Sequence, residues 1–330
     1  MNMQTPEELR LLVNNYFKQL PYERQPRSLY DPIRYVLSLG GKRLRPVLML
    51  MAYNMYREHP ETIIEQAIGL ETYHNYTLLH DDLMDNAPIR RGQPTVHLKW
   101  DANTAILSGD AMFVLAYQHM ANGLKEKLPE VISLFTETAL GIGDGQQFDM
   151  DFEQRNDVCE EEYIEMIRLK TSILLACALK MGAILADAPQ ADADNLYRFG
   201  EHIGLAFQLQ DDYLDVYGDP KVFGKAIGGD ILEGKKTFML INALAHADEA
   251  QRKTLEQWLE RPPREGTPEA QEKIQAVTSL YNQIGIDRMA QEKIAWYFEQ
   301  SRQYIEAVQL PAERKRFLID YAQQMMQRSY

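Results

Sequence analysis

The chain has few of the features that mark secreted or membrane-spanning proteins. Its two cysteines, Cys159 and Cys177, are too few for a disulfide framework and are typical of a reducing compartment. The most apolar stretch, residues 172–188, is interrupted by Lys180 and is too short to span a membrane. The amino terminus is polar and lacks the basic start and apolar run of a secretory signal. We therefore expect a cytoplasmic protein without a membrane span.

Positive charge is also scarce in this chain of 330 residues. Lys and Arg number 35 against 48 Asp and Glu, which gives a net charge of −13. A bulk charge of this sign argues against nucleic acid or an anionic membrane as a partner, although it leaves room for a local basic pocket. Because 45% of the residues are hydrophobic and 25% are charged, we expect an ordinary folded core.

Strand patterns, internal repeats and Ser/Gly-rich linkers are nearly absent, whereas signals for helix ends recur. Residues 5–8 (TPEE) are typical of an N-cap followed by a proline and a capping-box glutamate. Residues 31–32 (DP) and 267–268 (TP) predict further helix starts, and residues 40–41 (GG) predict a helix end. The pattern predicts an all-α protein, with residues 1–330 forming a single large helical bundle of roughly a dozen helices.

A DDxxD motif occurs twice, at residues 81–85 and 211–215, each near the end of a long predicted helix. On a helix the first and last aspartates of each copy lie on one face, one turn apart, where like charges repel. The arrangement makes sense if a divalent cation lies between them. Mg²⁺ is typically held by one or two carboxylates together with substrate phosphates. Each copy is therefore a candidate magnesium site.

The alternative for a lone copy is a solvated acidic helix face, which is unremarkable in an acidic chain. Two copies are far less common by chance. Both are flanked by apolar residues, such as Leu79 and Leu83 around the first and Leu209 and Leu214 around the second. Carboxylates in apolar helices cost several kcal/mol unless they are paired or bind metal. This setting favours the metal site.

Basic residues collect around both motifs. They are Lys42, Arg43, Arg45, Arg90, Arg91, Lys170, Lys225, Lys235 and Lys236. Any one of them alone is explained as a surface charge or an ion-pair partner, but the set indicates an anionic ligand held through metal. His74 lies two turns before Asp81 on the same face of the helix, and Gln208 lies three residues before Asp211.

The order of these segments resembles the trans-isoprenyl diphosphate synthase (polyprenyl synthetase) family, short-chain type. The matching segments are GGKRLRP at 40–46, LLHDDLMD at 78–85, RRGQPT at 90–95, KT at 170–171, FQLQDDYLD at 207–215 and GKKT at 234–237. The resemblance implies an all-α fold around a deep central cavity, usually as a homodimer. It also implies head-to-tail condensation of isopentenyl diphosphate with an allylic diphosphate (dimethylallyl, geranyl or farnesyl).

The resemblance further implies a role for each site residue. Mg²⁺, three ions per active site, would be held by Asp81, Asp82, Asp85, Asp211 and Asp215. Isopentenyl diphosphate would be held by Lys42, Arg45, His74 and Arg91. The allylic diphosphate would be contacted by Arg90, Lys170, Thr171, Gln208, Lys225 and Lys235. The catalytic residues would be Lys170, Thr171 and Gln208, of which Thr171 and Gln208 would lie beside the developing allylic cation.

Product length in the family depends on the residues just before the first motif. Here these are Tyr76 and Thr77, five and four residues before Asp81. A bulky aromatic at the fifth position keeps products short, and one aromatic beside a threonine resembles geranylgeranyl-type enzymes. Both C15 and C20 products stay open. Because Tyr76 lies about 140° around the helix from Asp81, this expectation depends on the resemblance and not on helix geometry.

Three alternatives also fit part of the pattern. A medium-chain polyprenyl diphosphate synthase of the same family is disfavoured by the aromatic Tyr76. A class I terpene cyclase shares the first DDxxD motif but usually lacks the second, and it lacks the GGKxxRP segment. A non-catalytic partner subunit typically loses a DDxxD motif or basic residues, and none is missing here. The sequence assigns no role to the tail at 327–330, and for Cys159 and Cys177 a structural role is the default.

Overall fold

The structure is a computed structural model that describes residues 3–219, 227–260, 263 and 266–327. Within these ranges the protein is α-helical apart from one short hairpin, so the predicted all-α fold class is confirmed. Lys225, predicted to contact the allylic diphosphate, lies outside the described residues, as do residues 328–330. None of the described helices is both long enough and apolar enough to cross a membrane.

The helices of the first part of the chain lead up to and beyond the first DDxxD motif. They are α1 (Pro6–Phe17), α2 (Arg27–Ser38), α3 (Leu44–Asn54), α4 (Ile64–Met84), α5 (Val96–Lys99), α6 (Ala102–Ala121) and α7 (Leu128–Glu153). Short 3₁₀ turns, Pro60–Ile63 and Lys125–Lys127, precede α4 and α7. Strands β1 (Ile89–Arg90) and β2 (Gln93–Pro94) form an antiparallel hairpin after α4.

The helices of the second part surround the second motif, which ends α10. They are α8 (Glu160–Ile167), α9 (Ile173–Leu185), α10 (Gln190–Tyr217), α11 (Gly229–Glu233), α12 (Phe238–His246), α13 (Glu249–Leu259), α14 (Pro268–Ile284), α15 (Ile286–Ala307) and α16 (Ala312–Gln327). A π-helical turn, Arg168–Ser172, joins α8 to α9.

Helix starts agree with the sequence signals with one exception. Thr5 caps α1, since its side chain accepts from the amide of Glu8 and the Glu8 carboxylate accepts from the amide of Thr5. The predicted start at 31–32 was wrong, because α2 begins four residues earlier, after the extended Pro26. Pro32 lies inside α2, close enough to its start to remove only one backbone hydrogen bond.

The chain divides into two compact units. Unit 1 comprises Met1–Glu137, Cys177–Tyr197 and Val308–Leu318, and unit 2 comprises Thr138–Ala176, Arg198–Ala307 and Ile319–Tyr330. The first DDxxD motif belongs to unit 1 and the second to unit 2. That residues 1–330 form a single domain stays a prediction.

Each unit has an apolar core that fixes its motif helix. In unit 1, Ile33 of α2, Leu79 of α4 and Met112 of α6 belong to one buried cluster. Gly69 lets α4 approach α6 closely, because a Cβ there would lie 2.9 Å from the carbonyl oxygen of Ala116. In unit 2, a buried cluster includes Leu205, Leu209 and Val216 of α10 together with side chains of α12 and α14.

Candidate functional site

The first DDxxD motif occupies the carboxyl end of α4. Asp81 lies in the last turn and is partly buried, while Asp85 is the exposed C-cap residue. The amide of Asp85 donates to the carbonyl oxygen of Asp81 over 2.9 Å, so the helical turn continues through the motif. The two residues are one turn apart, which is the spacing required for a shared cation.

Asp82, the second residue of the first motif, is paired with Arg90. Asp82 is 5% exposed, and its carboxylate accepts from Arg90 Nε at 3.0 Å and Nη2 at 2.6 Å. This charge-assisted pairing fixes Arg90 on β1 against α4. Because a carboxylate has about four lone-pair sites, Asp82 can keep this pair and still offer an oxygen to a cation.

The hairpin after α4 directs Arg91 toward Gly40 and Gly41, in the loop before α3. Arg91 and Gly92 form its two-residue turn with φ of 54° and 74°, which is the pattern of a type I′ turn. The Arg91 guanidinium donates to the carbonyl oxygen of Gly40. Glycine is favoured at position 41 by its φ of 136°, and a Cβ there would lie 2.9 Å from Arg91 Cζ, so a larger residue would displace the guanidinium. The glycine pair therefore allows the Arg91 guanidinium to approach the backbone closely.

His74 lies in a pocket of arginines within unit 1. Arg45 Nη1 is 3.0 Å from His74 Nε2, and since a guanidinium can only donate, this ring nitrogen accepts. Burial, reinforced by the charges of Arg45, Arg91, Arg90 and Arg43, holds the pKa of His74 well below its usual range. Burial also lowers the pKa of Arg45 to about 10. His74 is thus a neutral hydrogen-bond acceptor that can orient the Arg45 guanidinium toward an anionic ligand.

Arg43 and Glu71 form a buried ion pair that sequence reasoning did not assign to the site. They are 3% and 2% exposed, and Arg43 Nη1 donates to Glu71 Oε1 over 2.9 Å. Asn75 Nδ2 donates to the backbone carbonyl oxygen of Glu71 over 2.7 Å. The Arg91 guanidinium also reaches Asn75 Oδ1, at 3.5 Å. The signal in the sequence was an acidic residue within an otherwise apolar run of α4.

The remaining predicted residues of unit 1 lie at the loop and on α4. Lys42 is exposed in the loop before α3. Tyr76 is half-buried within an aromatic cluster, with ring centroids 5.4 Å from those of Tyr73 and Phe113. The Thr77 hydroxyl donates to the carbonyl oxygen of His74 over 2.8 Å and so faces its own helix.

Unit 2 contains a cavity of about 200 Å³ around the second DDxxD motif. Its charged lining consists of five aspartates and two lysines, namely Asp149, Asp211, Asp212, Asp215, Asp230, Lys170 and Lys235. Thr171 and Gln208 also line it. A cleft with both carboxylates and ammonium groups can bind a metal-complexed anion better than a bare anion or a bare cation.

Lys170 and Thr171 lie on the π-helical turn, a geometry often found at functional sites. Two glycines let neighbouring helices approach the turn. A Cβ on Gly145 of α7 would lie 2.4 Å from the backbone nitrogen of Lys170. A Cβ on Gly204 of α10 would lie 2.6 Å from Ser172 Cα. The wider turn therefore fits closely between α7 and α10.

The π-helical turn presents its two polar side chains to acidic and amide partners. Lys170 Nζ is 2.5 Å from Asp149 Oδ2. Thr171 Oγ1 donates to Gln208 Oε1, and Gln208 Nε2 donates to Asp212 Oδ1, both over 3.2 Å. These bonds fix which end of the Gln208 amide faces Thr171.

Two aspartates of the second motif have raised pKa values. Burial raises the pKa of Asp212 to about 7, although hydrogen bonds from Tyr163 and Gln208 favour the charged form. Burial and the nearby Asp230 charge raise the pKa of Asp215 to about 6. A bound cation would oppose both shifts by stabilising the charged forms.

Lys235 supplies positive charge to the same cleft. Burial alone would lower the pKa of this lysine, but Asp149, Asp230 and Asp212 outweigh it and raise the pKa above the usual range. Lys235 therefore stays protonated and can contact a phosphate.

The donor set fits Mg²⁺ that is completed by phosphate oxygens. Within the described ranges no three metal-ligating side chains converge on one point, so no all-protein cage exists there. The available metal ligands are carboxylate oxygens, and lysines lie near them. This set suits Mg²⁺, which is usually bound by one or two carboxylates and keeps waters and phosphate oxygens as its other ligands.

The structure therefore brings the predicted residues into two groups, one in each unit. Arg45, His74 and Arg91 converge in unit 1, with Arg90 bound to the first motif. In unit 2, Lys170, Thr171, Gln208 and Lys235 share a cavity with the second motif. Sequence reasoning missed Asp149, Tyr163 and Asp230 in that cavity. The acidic GQQFDMD run and the GGD segment after the second motif were the available signals.

A comparison with known families agrees with this arrangement. The family model for polyprenyl synthetase matches residues 26–280. The chain belongs to the polyprenyl synthetase family. The sequence-based prediction of this family is thus confirmed.

Relatives of this polyprenyl synthetase family member narrow the type. A geranylgeranyl diphosphate synthase of Methanosarcina mazei is 41% identical over 226 residues, covering 68% of this chain and 69% of the relative. A geranylfarnesyl diphosphate synthase of Natronomonas pharaonis is 37% identical over 255 residues, covering 72% and 74%. A crystal structure of a geranylgeranyl pyrophosphate synthase superposes with a TM-score of 0.94, with 42% identity over 99% of this chain and 100% of the other.

These similarities confirm a prenyltransferase of the short-chain type over the class I terpene cyclase, the medium-chain synthase and the non-catalytic subunit. They favour the geranylgeranyl over the farnesyl type.

Proposed function

We propose that this protein condenses isopentenyl diphosphate with allylic diphosphates and releases geranylgeranyl diphosphate as its main product. The observation that carries the proposal is the presence of two chemically different groups of charged side chains. Unit 1 has a cationic pocket around the neutral His74, and unit 2 has a mixed carboxylate and lysine cavity. A terpene cyclase handles one diphosphate and needs only the second kind of site.

The cationic pocket of unit 1 suits the substrate that keeps its diphosphate. We assign isopentenyl diphosphate to Lys42, Arg45, His74 and Arg91. Arginine forks match phosphate oxygens, and burial strengthens each contact because the local dielectric is low. His74 accepts from Arg45 and so holds that guanidinium in place.

The carboxylate cavity of unit 2 suits the diphosphate that leaves. We assign the allylic diphosphate to Lys170, Lys235, Thr171 and Gln208, and the family resemblance adds Arg90 and Lys225, the latter outside the described residues. By the same resemblance magnesium, three ions per site, would be bound by Asp81, Asp82, Asp85, Asp211 and Asp215. When bound, the metal neutralises the leaving diphosphate so that its C–O bond can ionise.

The side chains around the breaking bond assist the charge that develops. Lys170 and Lys235 donate to diphosphate oxygens as negative charge grows there. The oxygens of Thr171 and Gln208 lie beside the allylic cation and stabilise it. The isopentenyl double bond then attacks the allylic cation, which forms the new C–C bond and leaves a positive charge on the tertiary carbon of the isopentenyl unit. The carbon next to that charge loses a proton to the released diphosphate, and the C–H electrons form the new double bond. Apolar side chains such as Met166 and Ile167 line the same cavity and keep water away.

Product length is assigned to the aromatic cluster on α4 and α6. Tyr76 with its neighbours Tyr73 and Phe113 presents consecutive rings to an apolar tail. Geranylgeranyl and geranylfarnesyl synthases among the relatives support a product of at least C20.

We also propose that residues 1–330 act as one catalytic domain in a cytoplasmic homodimer. One continuous family match, residues 26–280, includes parts of both units. A second copy would cover the apolar face of α6, where Ile106, Leu107 and Val114 are 45%, 61% and 65% exposed. Exposed apolar residues at this helical spacing mark an interaction face.

A two-substrate kinetic experiment tests the proposal. The purified chain is supplied with dimethylallyl diphosphate, radiolabelled isopentenyl diphosphate and Mg²⁺, and dephosphorylated products are sized by chromatography. We expect C20 product, and none after chelation of the metal. Arg45→Ala should raise the KM for isopentenyl diphosphate about tenfold or more, and Lys235→Ala should do so for the allylic substrate.

The control for both variants is Lys253→Ala, which removes an exposed lysine on α13. Incorporation of no isopentenyl units would contradict the proposed function. Equal effects of Arg45→Ala and Lys235→Ala on both KM values would contradict the division into two sites.

A further inference from the structure

A buried lysine in unit 2 has no part in the chemistry assigned above. Lys273 of α14 is 1% exposed and shares a pocket with Leu255, Trp258 and Val277. Its Nζ donates to the backbone carbonyl oxygen of Leu232 over 3.1 Å. Burying an ammonium group costs free energy that an apolar side chain of the same length would not cost. Stability alone does not explain a lysine at this position.

Helix α11, which Lys273 contacts, is too short to be stabilised by its internal hydrogen bonds alone. Helix α11 has five residues, Gly229–Glu233, between two left-handed glycines, Gly228 and Gly234. So short a helix forms few internal hydrogen bonds, and the carbonyls of its last turn need outside donors. Lys273 provides one of these donors, at the helix end where positive charge is favourable.

Helix α14 also contacts the other end of α11. Ile274, next to Lys273, packs on Gly228 so closely that a Cβ there would lie 2.8 Å from Ile274 Cδ1. Adjacent residues of one long helix therefore fix both ends of the short one.

The position of α11 determines the geometry of two charged groups in the cavity. The amide of Asp230 donates to Asp215 Oδ2 over 3.0 Å, and the amide of Gly228 donates to the carbonyl oxygen of Asp215 over 2.6 Å. At the other end, the amide of Lys235 donates to the carbonyl oxygen of Asp230 over 3.0 Å. A shift of α11 relative to α10 would therefore change the distance between Asp215 and Lys235.

We propose that Lys273 is a positioning residue for the allylic-diphosphate half of the site. By holding the carboxyl end of α11 it keeps the Asp215 carboxylate and the Lys235 ammonium at the separation that a diphosphate with its metal requires. The proposal rests on the proposed function, because that function names the diphosphate as the occupant of this cavity.

Lys273→Met tests the proposal, since methionine fills the space of the stem and removes the donor. Hydrogen exchange measured by mass spectrometry on the full chain should show amides at 228–236 exchanging about tenfold faster, with other helices unchanged. The KM for the allylic substrate should rise about tenfold while that for isopentenyl diphosphate stays within about twofold. Lys253→Met, at the exposed lysine of α13, is the matched control and should behave as wild type.

Lys273→Gln, which keeps a shorter amide donor, should give a smaller change in the same direction and carries the test if the methionine variant does not fold. Unchanged exchange at 228–236, or equal changes in both KM values, would overturn the proposal. Loss of protection throughout unit 2 in both variants would also overturn it, because Lys273 would then be a general core residue. An inactive wild type would contradict the proposed function instead, and the exchange measurement would still decide whether Lys273 holds α11.

Discussion

At His74, charge and burial act together in the pocket that we propose for isopentenyl diphosphate. Its imidazole accepts from Arg45 and lies in the field of three further arginines. Protonation would place a fifth positive charge in that pocket and remove the acceptor for Arg45. The site therefore depends on a neutral histidine, and this dependence is measurable as a function of pH.

We predict that the free energy of unfolding falls on acidification partly because of His74. Its pKa is well below 6.5 in the folded chain but near 6.5 when unfolded, so below pH 6.5 the unfolded state binds the extra proton. The loss should reach about 1.4 kcal/mol at pH 5.5. His74→Gln, which keeps an acceptor, should lose less stability between pH 7.5 and 5.5, as measured by urea unfolding.

The raised pKa of Asp212, about 7, acts in the opposite direction, since its contribution is lost as pH rises through 7. That effect is common to wild type and variant and cancels in the comparison. If the free energy of unfolding changed equally with pH in wild type and His74→Gln, the pKa of His74 would not be lowered in the folded chain.

Tyr76 carries the prediction for product length. Tyr76→Ala removes a ring that contacts Tyr73 and Phe113, so an allylic tail gains space and burial worth about 25 cal/mol per Å² of apolar surface. Products should lengthen beyond C20 while total isopentenyl incorporation stays substantial. Thr77→Phe narrows the same region and should shift products toward C15. Chromatography of dephosphorylated products compares the three proteins, and unchanged lengths in Tyr76→Ala would make this tyrosine a core residue only.

Residue types and spacing were sufficient to identify the aspartates, His74, Gln208 and most of the basic residues as candidates. They were not sufficient to predict which acidic and basic side chains form ion pairs. The ion pair between Asp82 and Arg90, and that between Arg43 and Glu71, join residues 8 and 28 positions apart through a turn and a helix junction. Which carboxylate a guanidinium reaches depends on three-dimensional packing, and no local pattern encodes it.

Among the elements, the π-helical turn at Arg168–Ser172 has the largest effect on the site. It orients Lys170 and Thr171, and it needs the space left by Gly145 and Gly204. Helix existence could be predicted from caps and prolines, as at α1 and α14, whose Thr5 and Thr267 both cap through their side chains. The π-helical turn and the hairpin at 89–94 could not, because each depends on how neighbouring elements pack.

Gly204→Ala tests the close approach of α10 to the π-helical turn. The added Cβ would lie 2.6 Å from Ser172 Cα, so backbone must move, which should destabilise the chain by about 1–3 kcal/mol and lower kcat by weakening the bond between Thr171 and Gln208. Gly143→Ala is the control, since nothing lies within 4 Å of its Cβ and alanine favours the helix by about 0.5–1 kcal/mol. Urea unfolding and steady-state kinetics measure both, and equal stabilities would show that the packing is looser than described.

At the scale of the whole molecule, an acidic chain contains a strongly basic pocket. The net charge of −13 is compatible with anionic substrates because the arginines around His74 are concentrated in one place. Composition predicted the acidic surface, and the motifs predicted the pocket. Neither indicated that the chain divides into two compact units.

We predict that the apolar face of α6 determines the oligomeric state. Val114→Lys places a charge where a second copy would cover an exposed valine, so sedimentation should change from a dimer for wild type to a monomer for the variant. Leu11→Lys, at an exposed leucine of α1, is the control and should stay dimeric. A monomeric wild type, or a dimeric Val114→Lys variant, would remove α6 as the interface.

The turn that carries Arg91 has a consequence for how this sequence can change over generations. A side chain other than glycine at φ 54° costs on the order of 1–2 kcal/mol, which Gly at the same position would not cost. Arg91→Gly would remove this cost together with the guanidinium that donates to the Gly40 carbonyl oxygen. At this position the backbone conformation therefore favours glycine, whereas retention of the basic pocket favours arginine.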